Sequence, residues 1–360
     1  MDVSISKRPL APGGVQWSNA NRCIIATPER VFIVTPQHTL ENEIPKKREV
    51  SASIESEVDI EAVALADDLP EEFGFSHAVI ALAGDSSIRV LASPINPDTL
   101  VWTQVARHQL GTGADHVVSI SSCVVGGAGA QGMPVIACAS VGGTVEIFRL
   151  VAGQRDEATG SGDLVALESL ARVAASPTTV AHMGWLAGDG CLGADSQDQQ
   201  LLATCSVDGT ASIWKLTHGA RQCREAATVG NRDWSAFTAH AASGDIAVLA
   251  KIGLAAIVDI RAEATFETQY VELGMSQTTV CCAVDERRER VYIGTLDFAW
   301  FVLAQRRGRW VRVAEEEGAF RDGVRATIVG SFTTKFNMNQ LFLRGMTMSP
   351  NGRYLSFIAE

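Results

Sequence analysis

Residues 127 to 132, GAGAQG, carry the G-x-G-x-x-G spacing with which a glycine turn presents a pyrophosphate to a helix N-terminus. MPVIACAS follows, a proline and an apolar run where that chemistry needs a helix, so the stretch reads as a hairpin loop and assigns no cofactor. Seven histidines could bind metal or serve a triad, but His77, His108, His116, His182 and His240 form no pair at ligand spacing and read as structural. Asp115, Asp233 and Asp285 could do acid–base work, yet no G-x-S-x-G elbow or nucleophile–base pair accompanies them, and they read as turn or surface carboxylates. Arginines are the more distinctive feature. DERRER (285–290) and QRRGRWVR (305–312) place Arg287, Arg288, Arg306, Arg307 and Arg309 near Trp310. Guanidinium groups beside an aromatic ring can grip phosphate or stack on bases and peptide groups. The same residues also suit a solvated hairpin facing an acidic stretch such as AEEEG.

Composition limits what these residues can serve. The chain has 360 residues, 46% hydrophobic and 20% charged, which is the make-up of a core-forming protein. A net charge of -11 argues against coating nucleic acid over a whole surface, although a local basic patch stays open. Eight cysteines contain no C-x-x-C pair, and several lie in runs such as VIACAS and CIIAT, so they read as buried thiols of a reducing compartment. MDVSISKRPL has no apolar signal core, and no run of eighteen uncharged apolar residues occurs, so the expectation is a soluble intracellular protein without membrane contact.

Short runs of Val, Ile, Thr and Ser broken by Gly, Asp and Asn indicate strands and turns. One unit recurs: a strand ending in small residues, a polar turn, and a second strand closing on an aromatic or branched residue. It is found in CIIATPERVFIVTP from Cys23, AVIALAGDSSIRVLA from Ala78, VIACASVGGTVEIFRL from Val135, LLATCSVDGTASIWKL from Leu201, GDIAVLAKIGLAAIVDI from Gly244 and RVYIGTLDFAWFVLA from Arg290. GMTMSPNGRYLSFIAE from Gly345 supplies part of another. VQWSNAN, MGWLAGDG, VCCAVDERRER and MTMSPNG add a preceding strand and turn, so a unit runs innermost strand, second strand, third strand. A four-stranded sheet cannot bury both faces alone, whereas sheets packed radially bury one another.

DGTASIW, with Asp208 and Gly209 in a tight turn and Trp214 closing the next strand, resembles the signature of WD40 repeats. The resemblance implies that Asp208 braces the turn and that Trp214 joins a buried polar and aromatic cluster. Phe148 takes the Trp place in the third unit, and the upstream Gly-His dipeptide is missing throughout. His182 falls near the place of that histidine. The implied fold is all-β, a WD40-like propeller of about seven blades with the last incomplete, spanning residues 1–360 as one domain. A narrower resemblance lies in GGVQWSNANRCIIATPERVFIVTP, with its Trp17-Ser18 turn, and in RGMTMSPNGRYLSFIA. Both are similar to the ends of the propeller in delta-type subunits of transcription factor TFIIIC. That implies a nuclear, non-catalytic scaffold among the protein subunits supporting RNA polymerase III initiation, with promoter DNA contacted indirectly or through a local basic patch. A peptide- or histone-reading WD40 adaptor, such as a ubiquitin-ligase substrate receptor, and a propeller hydrolase are the other readings of such a fold.

Two stretches interrupt the repeat and read as insertions, near 41–76 and 153–179. Leu164, Leu167, Leu170 and Val173 in the second have the spacing of a short amphipathic helix packed on the rim. The last unit stops after two strands at Ile358, so the sequence reads either as the N-terminal part of a longer protein, the favoured expectation, or as a ring that an outer strand from the N-terminal VSISK segment closes incompletely.

Overall fold

The computed structural model describes residues 15–17, 23–26, 29–35, 49–55, 59–67, 78–84, 86–92, 103–110, 116–125, 133–152, 165–186, 199–217, 221–229, 239–243, 245–260, 268–274, 278–285, 287–296, 300–313, 343–349 and 355–359. Their 26 strands form seven antiparallel sheets, each a meander of consecutive strands. The first sheet holds β1 (Val15–Trp17), β2 (Cys23–Ala26), β3 (Arg30–Thr35) and β4 (Glu49–Glu55). The second holds β5 (Ala62–Asp67), β6 (Ala78–Gly84), β7 (Ser87–Ala92) and β8 (Thr103–Gln109). The third holds β9 (Val117–Val125), β10 (Met133–Ser140), β11 (Thr144–Ala152) and β12 (Val165–Ala174). In the fourth are β13 (Val180–Leu186), β14 (Gln199–Ser206), β15 (Ala211–Thr217) and β16 (Gln222–Val229). In the fifth are β17 (Ala239–Ser243), β18 (Ile246–Lys251), β19 (Leu254–Asp259) and β20 (Thr268–Glu272). The sixth is built from β21 (Thr279–Asp285), β22 (Arg290–Thr295), β23 (Trp300–Arg306) and β24 (Arg309–Arg312), and the seventh pairs β25 (Leu343–Met348) with β26 (Leu355–Ala359). Among the described residues no helix is long and apolar enough to cross a membrane.

First strands lie side by side in chain order, from β5 against β9 through to β21 against β25, and β1 touches both β5 and β25. The Gln16 amide of β1 donates to the Val63 carbonyl of β5 at 2.7 Å, tying two first strands directly. This arrangement is propeller-like. Its core consists of apolar layers between successive sheets, and the period-two geometry of a strand explains the sequence that fills them. In β10, Val135, Ala137 and Ala139 pack toward the fourth sheet, while Ile136 and Cys138 pack toward the second. In β14, Leu202 faces the third sheet, and Leu201, Ala203 and Cys205 face the fifth. Strands buried on both faces read as continuous apolar runs. Each repeated unit of the sequence falls on the second and third strands of a sheet, or on β25–β26 in the seventh.

The rim differs from the sequence reading. The stretch near 41–76 contains β4 and β5, and that near 153–179 contains β12, so neither is simply an inserted loop. An outermost strand has only one ladder partner, and polar, charged residues there blunt the open edge. Residues 165–173 of the expected helix belong to strand β12, and Leu164 lies outside the described residues. Within the strand a bulge, where Ile147 pairs with Ala171 and Phe148 with Ser169, leaves Leu170 as the extra residue and brings Leu170 and Val173 to one face. Leu170 and Val173 pack toward the fourth sheet, and Leu167, an odd number of residues before Leu170, alternates toward the second.

Candidate functional site

The turn between β14 and β15 is built as its residues dictate. Gly209 has φ +83° and its N–H donates to the Ser206 carbonyl at 2.9 Å, a tight turn that only a residue without Cβ adopts freely. The Asp208 carboxylate accepts the Thr210 N–H at 2.9 Å and the Thr210 hydroxyl at 2.7 Å, and the Thr178 hydroxyl also favours its charged form. Burial alone would raise its pKa, but those bonds outweigh it and hold the carboxyl below its ordinary value. Trp214, buried toward the third sheet, donates its indole N–H to Thr204 Oγ1 at 2.9 Å, and the Thr204 hydroxyl donates to the Ser212 carbonyl at 3.3 Å. Phe148 occupies the same place one repeat earlier and faces the second sheet, where His108 lies 4.7 Å from it, centroid to centroid.

Asp208 does more than brace its own turn. The segment 175–179 that crosses from the third sheet to the fourth is held from both sides. The Gly143 carbonyl accepts from Ala175 and Ser176, the Thr179 hydroxyl donates to the Val141 carbonyl at 2.8 Å, and the Val207 N–H donates to the Thr179 carbonyl. We expect Asp208→Ala to cost about 1 kcal/mol, the net worth of a few hydrogen bonds on a largely exposed side chain. With a folded pKa below the unfolded one, the carboxylate's contribution is complete above about pH 4 and is lost as pH falls through the folded value. Urea midpoints of wild type and variant should accordingly differ at neutral pH and converge in acid.

His182 stands opposite Cys205 in the ladder and lines a cavity of about 20 Å³ between the fourth and fifth sheets. It thus faces away from Trp214 and does not join the Trp214–Thr204 pair. Burial pushes its pKa down to about 4, so it stays neutral in the folded chain at pH 7 while the unfolded chain takes up a proton near 6.5. Its folded pKa is the lower one, so stability is complete above about pH 6.5 and falls by roughly 1–3 kcal/mol as pH drops toward 4. In His182→Gln, urea midpoints measured across that window should fall less steeply than in wild type.

The arginine turns come together as the sequence suggests. DERRER spans the β21–β22 turn and RRGR the β23–β24 turn, both at one end of the sixth sheet, and the Gln305 N–H donates to the Glu289 carbonyl at 3.1 Å. Arg287, Arg288, Arg306, Arg307 and Arg309 are exposed. Trp310 is not exposed beside them: it is 4% accessible and packs between the fifth and sixth sheets, so its ring offers no stacking face to a ligand. The alternation of an outer strand explains this, with Arg309 and Val311 outward and Trp310 inward. Asp285 is 2% accessible and caps its own turn, accepting the Arg288 N–H at 3.3 Å and lying 3.6 Å from the Arg288 guanidinium. Burial raises its pKa against the opposing pull of those arginines.

The remaining sequence candidates are dispersed. His116 bonds Glu61 at 2.9 Å, and Trp17 is half-buried on β1. Ser18, His77, Asp115, Asp233 and residues 127–132 lie outside the described residues, although the run after GAGAQG is strand β10, as expected. Cys23, Cys138, Cys205, Cys281 and Cys282 are buried free thiols and Cys223 is half-buried; burial pushes Cys205 and Cys281 up to about 12. Among the described residues no His, Cys, Asp or Glu group is arranged to hold a metal ion.

Sequence reasoning missed Gln269 on β20. Its amide N–H donates to the Gly308 carbonyl at 3.1 Å, and its oxygen accepts the Trp310 N–H at 3.1 Å, gripping the arginine hairpin from the neighbouring sheet. Nothing local in TQYVE signals this, because the contact exists only once β20 lies beside β24. Comparison with known proteins finds no matching family model and no matching curated sequence.

Proposed function

We propose that the seven sheets are the blades of a closed WD40-like propeller that works as a protein-interaction scaffold. The supporting observation is a row of exposed aliphatic side chains, Val141 (46% accessible), Val207 (57%) and Ile252 (51%). Each is the first residue of the turn between the second and third strands, in three consecutive sheets. In antiparallel meanders those turns share one end of the sheets, so the row lies on one face of a rigid body. Repeated apolar anchors on a rigid face are what a partner protein can bury. The contact of β1 with β25 and β26 supports closure.

Within that class, the segments similar to delta-type TFIIIC subunits support a narrower reading, since they carry β1 and β25–β26 and so lie together. On that reading the chain belongs to a nuclear assembly at RNA polymerase III promoters, with promoter DNA contacted chiefly by other subunits. Affinity purification from the native organism tests both levels. Partner recovery that collapses in the Val141→Ser, Val207→Ser, Ile252→Ser triple variant, whose unfolding midpoint should hardly move, is the expected result. Partners retained by that variant would remove the aliphatic face as the docking surface. Recovery of partners without RNA polymerase III factors would remove the narrower reading and leave the scaffold.

A further inference from the structure

We propose that the two arginine turns of the sixth sheet form a pre-organised receptor for a short acidic segment of a partner protein. The proposal rests on the scaffold reading but uses the opposite end of the sheets from the aliphatic row, so the two can fail separately. The tips of the β21–β22 and β23–β24 turns are two strand spacings apart, about 10 Å. Arg287 and Arg288 stand on one tip, and Arg306, Arg307 and Arg309 on the other, all exposed. Arg288 also lies 3.6 Å from the Asp285 carboxylate, and Arg312 of the same sheet donates to the Leu273 carbonyl at 2.6 Å and lies 4.4 Å over the Phe301 ring.

The outer tip is held, not loose. Arg306 pairs with Arg309 across Arg307 and Gly308, which have φ +54° and +77°, a two-residue turn in which both central residues are left-handed. Gly, Asn or Asp suits the first of these places, and an arginine there adopts a backbone conformation that L-residues avoid. Strain of this kind persists where surrounding structure over-determines it. Here Gln269 bonds the turn at Gly308 and the outer strand at the Trp310 backbone, and the buried Trp310 side chain anchors the strand that leaves the turn. The guanidinium groups are therefore presented from a fixed backbone, which lowers the ordering cost of binding.

Charge and size select the occupant. Residues 285–312 contain seven arginines and four acidic residues, so the rest of the chain carries a formal charge of -14. A nucleic-acid strand laid over the tips would continue onto that negative remainder, whereas six extended residues, about 20 Å, match the patch and end there. Carboxylates also suit guanidinium forks, and the burial of Trp310 leaves no aromatic platform for bases.

Fluorescence anisotropy of the full chain with labelled decaglutamate, decaglutamine and a dT oligonucleotide of similar length tests the proposal. Decaglutamate should bind at low salt and weaken as salt rises, and decaglutamine should not bind. The Arg307→Gly, Arg309→Gln double variant should bind decaglutamate at least tenfold more weakly while unfolding at the same or a higher denaturant concentration. Arg107→Gln, at an exposed arginine on the second sheet, should bind as wild type. Gln269→Leu keeps every arginine, so its affinity should fall with the salt dependence unchanged; wild-type affinity there overturns the positioning role of Gln269. Decaglutamate binding no better than decaglutamine, or equally well to the double variant, overturns the receptor. Tighter binding of the oligonucleotide through the same arginines overturns the acidic-peptide assignment in favour of nucleic acid.

Discussion

Gly143→Ala is expected to cost about 3–5 kcal/mol, whereas Gly308→Ala, at the same φ of +77°, should cost about 1 kcal/mol. The pair separates two effects that one variant would confound. A Cβ at Gly308 meets nothing within 4 Å, so that variant reports only the left-handed backbone. A Cβ at Gly143 would stand 2.2 Å from the Ser176 carbonyl oxygen and 2.4 Å from that of Thr178. Neither is a side chain that can rotate away. Both belong to the 175–179 crossing segment, and the Gly143 carbonyl accepts the Ala175 and Ser176 N–H groups at 3.0 and 3.2 Å. Relief of the clash must displace the segment that links the third and fourth sheets. Guanidinium unfolding curves give the two costs, and hydrogen exchange should show lost protection at Ala175, Ser176 and Val207 in the Gly143 variant alone. Equal costs for the two variants would mean that the segment yields freely and that the turn does not hold it.

How far the fold could be read from sequence follows from burial. Second and third strands are covered on both faces, so CIIA, VIACAS and LLATCS are continuous apolar runs whose turns are visible between them. First strands such as VAHMGWL could be read because a turn separates them from these runs. Outer strands are harder, because their chemistry is set by a neighbouring sheet or by solvent. In β12 a single bulged residue sets Leu170 and Val173 on one face, a spacing that reads as helical, while Leu167 alternates to the other. In β24 the sequence RWVR looks like a solvated basic loop until Trp310 is seen to alternate inward. The arginine site shows the same divide. Its charges were legible because they sit in two hairpin turns of one sheet, but the grip of Gln269 on Gly308 and Trp310 is a contact across 39 and 41 residues, respectively. His182 shows why identity near a motif is weak information: a bulge between Val180 and His182 sets it opposite Cys205, on the face away from Trp214.

The other large effect is expected at Trp214. Trp214→Ala should cost about 3–5 kcal/mol, a large share of the roughly 5–15 kcal/mol that holds a folded protein together. Two contributions make up that loss, apolar contact with Val135 and Ala137 of the third sheet and with Leu202 of its own, and the indole bond to Thr204. Subtler variants separate them. Thr204→Val keeps the shape but leaves the buried indole N–H without an acceptor, and should cost about 1–3 kcal/mol. Trp214→Phe removes the donor and some volume, and should cost a similar amount because Thr204 Oγ1 loses that donor. In the double variant both polar partners are gone, so its cost should fall short of the sum by about 1 kcal/mol or more. Phe148 already shows the apolar solution, filling the equivalent place in the third sheet with no polar group on its ring. Strict additivity in the cycle would mean that the indole bond contributes nothing and that Trp214 is retained for its volume. A positive coupling, read from denaturant midpoints at constant slope, would identify the Trp214–Thr204 pair as a polar lock on the packing of the fourth sheet against the third.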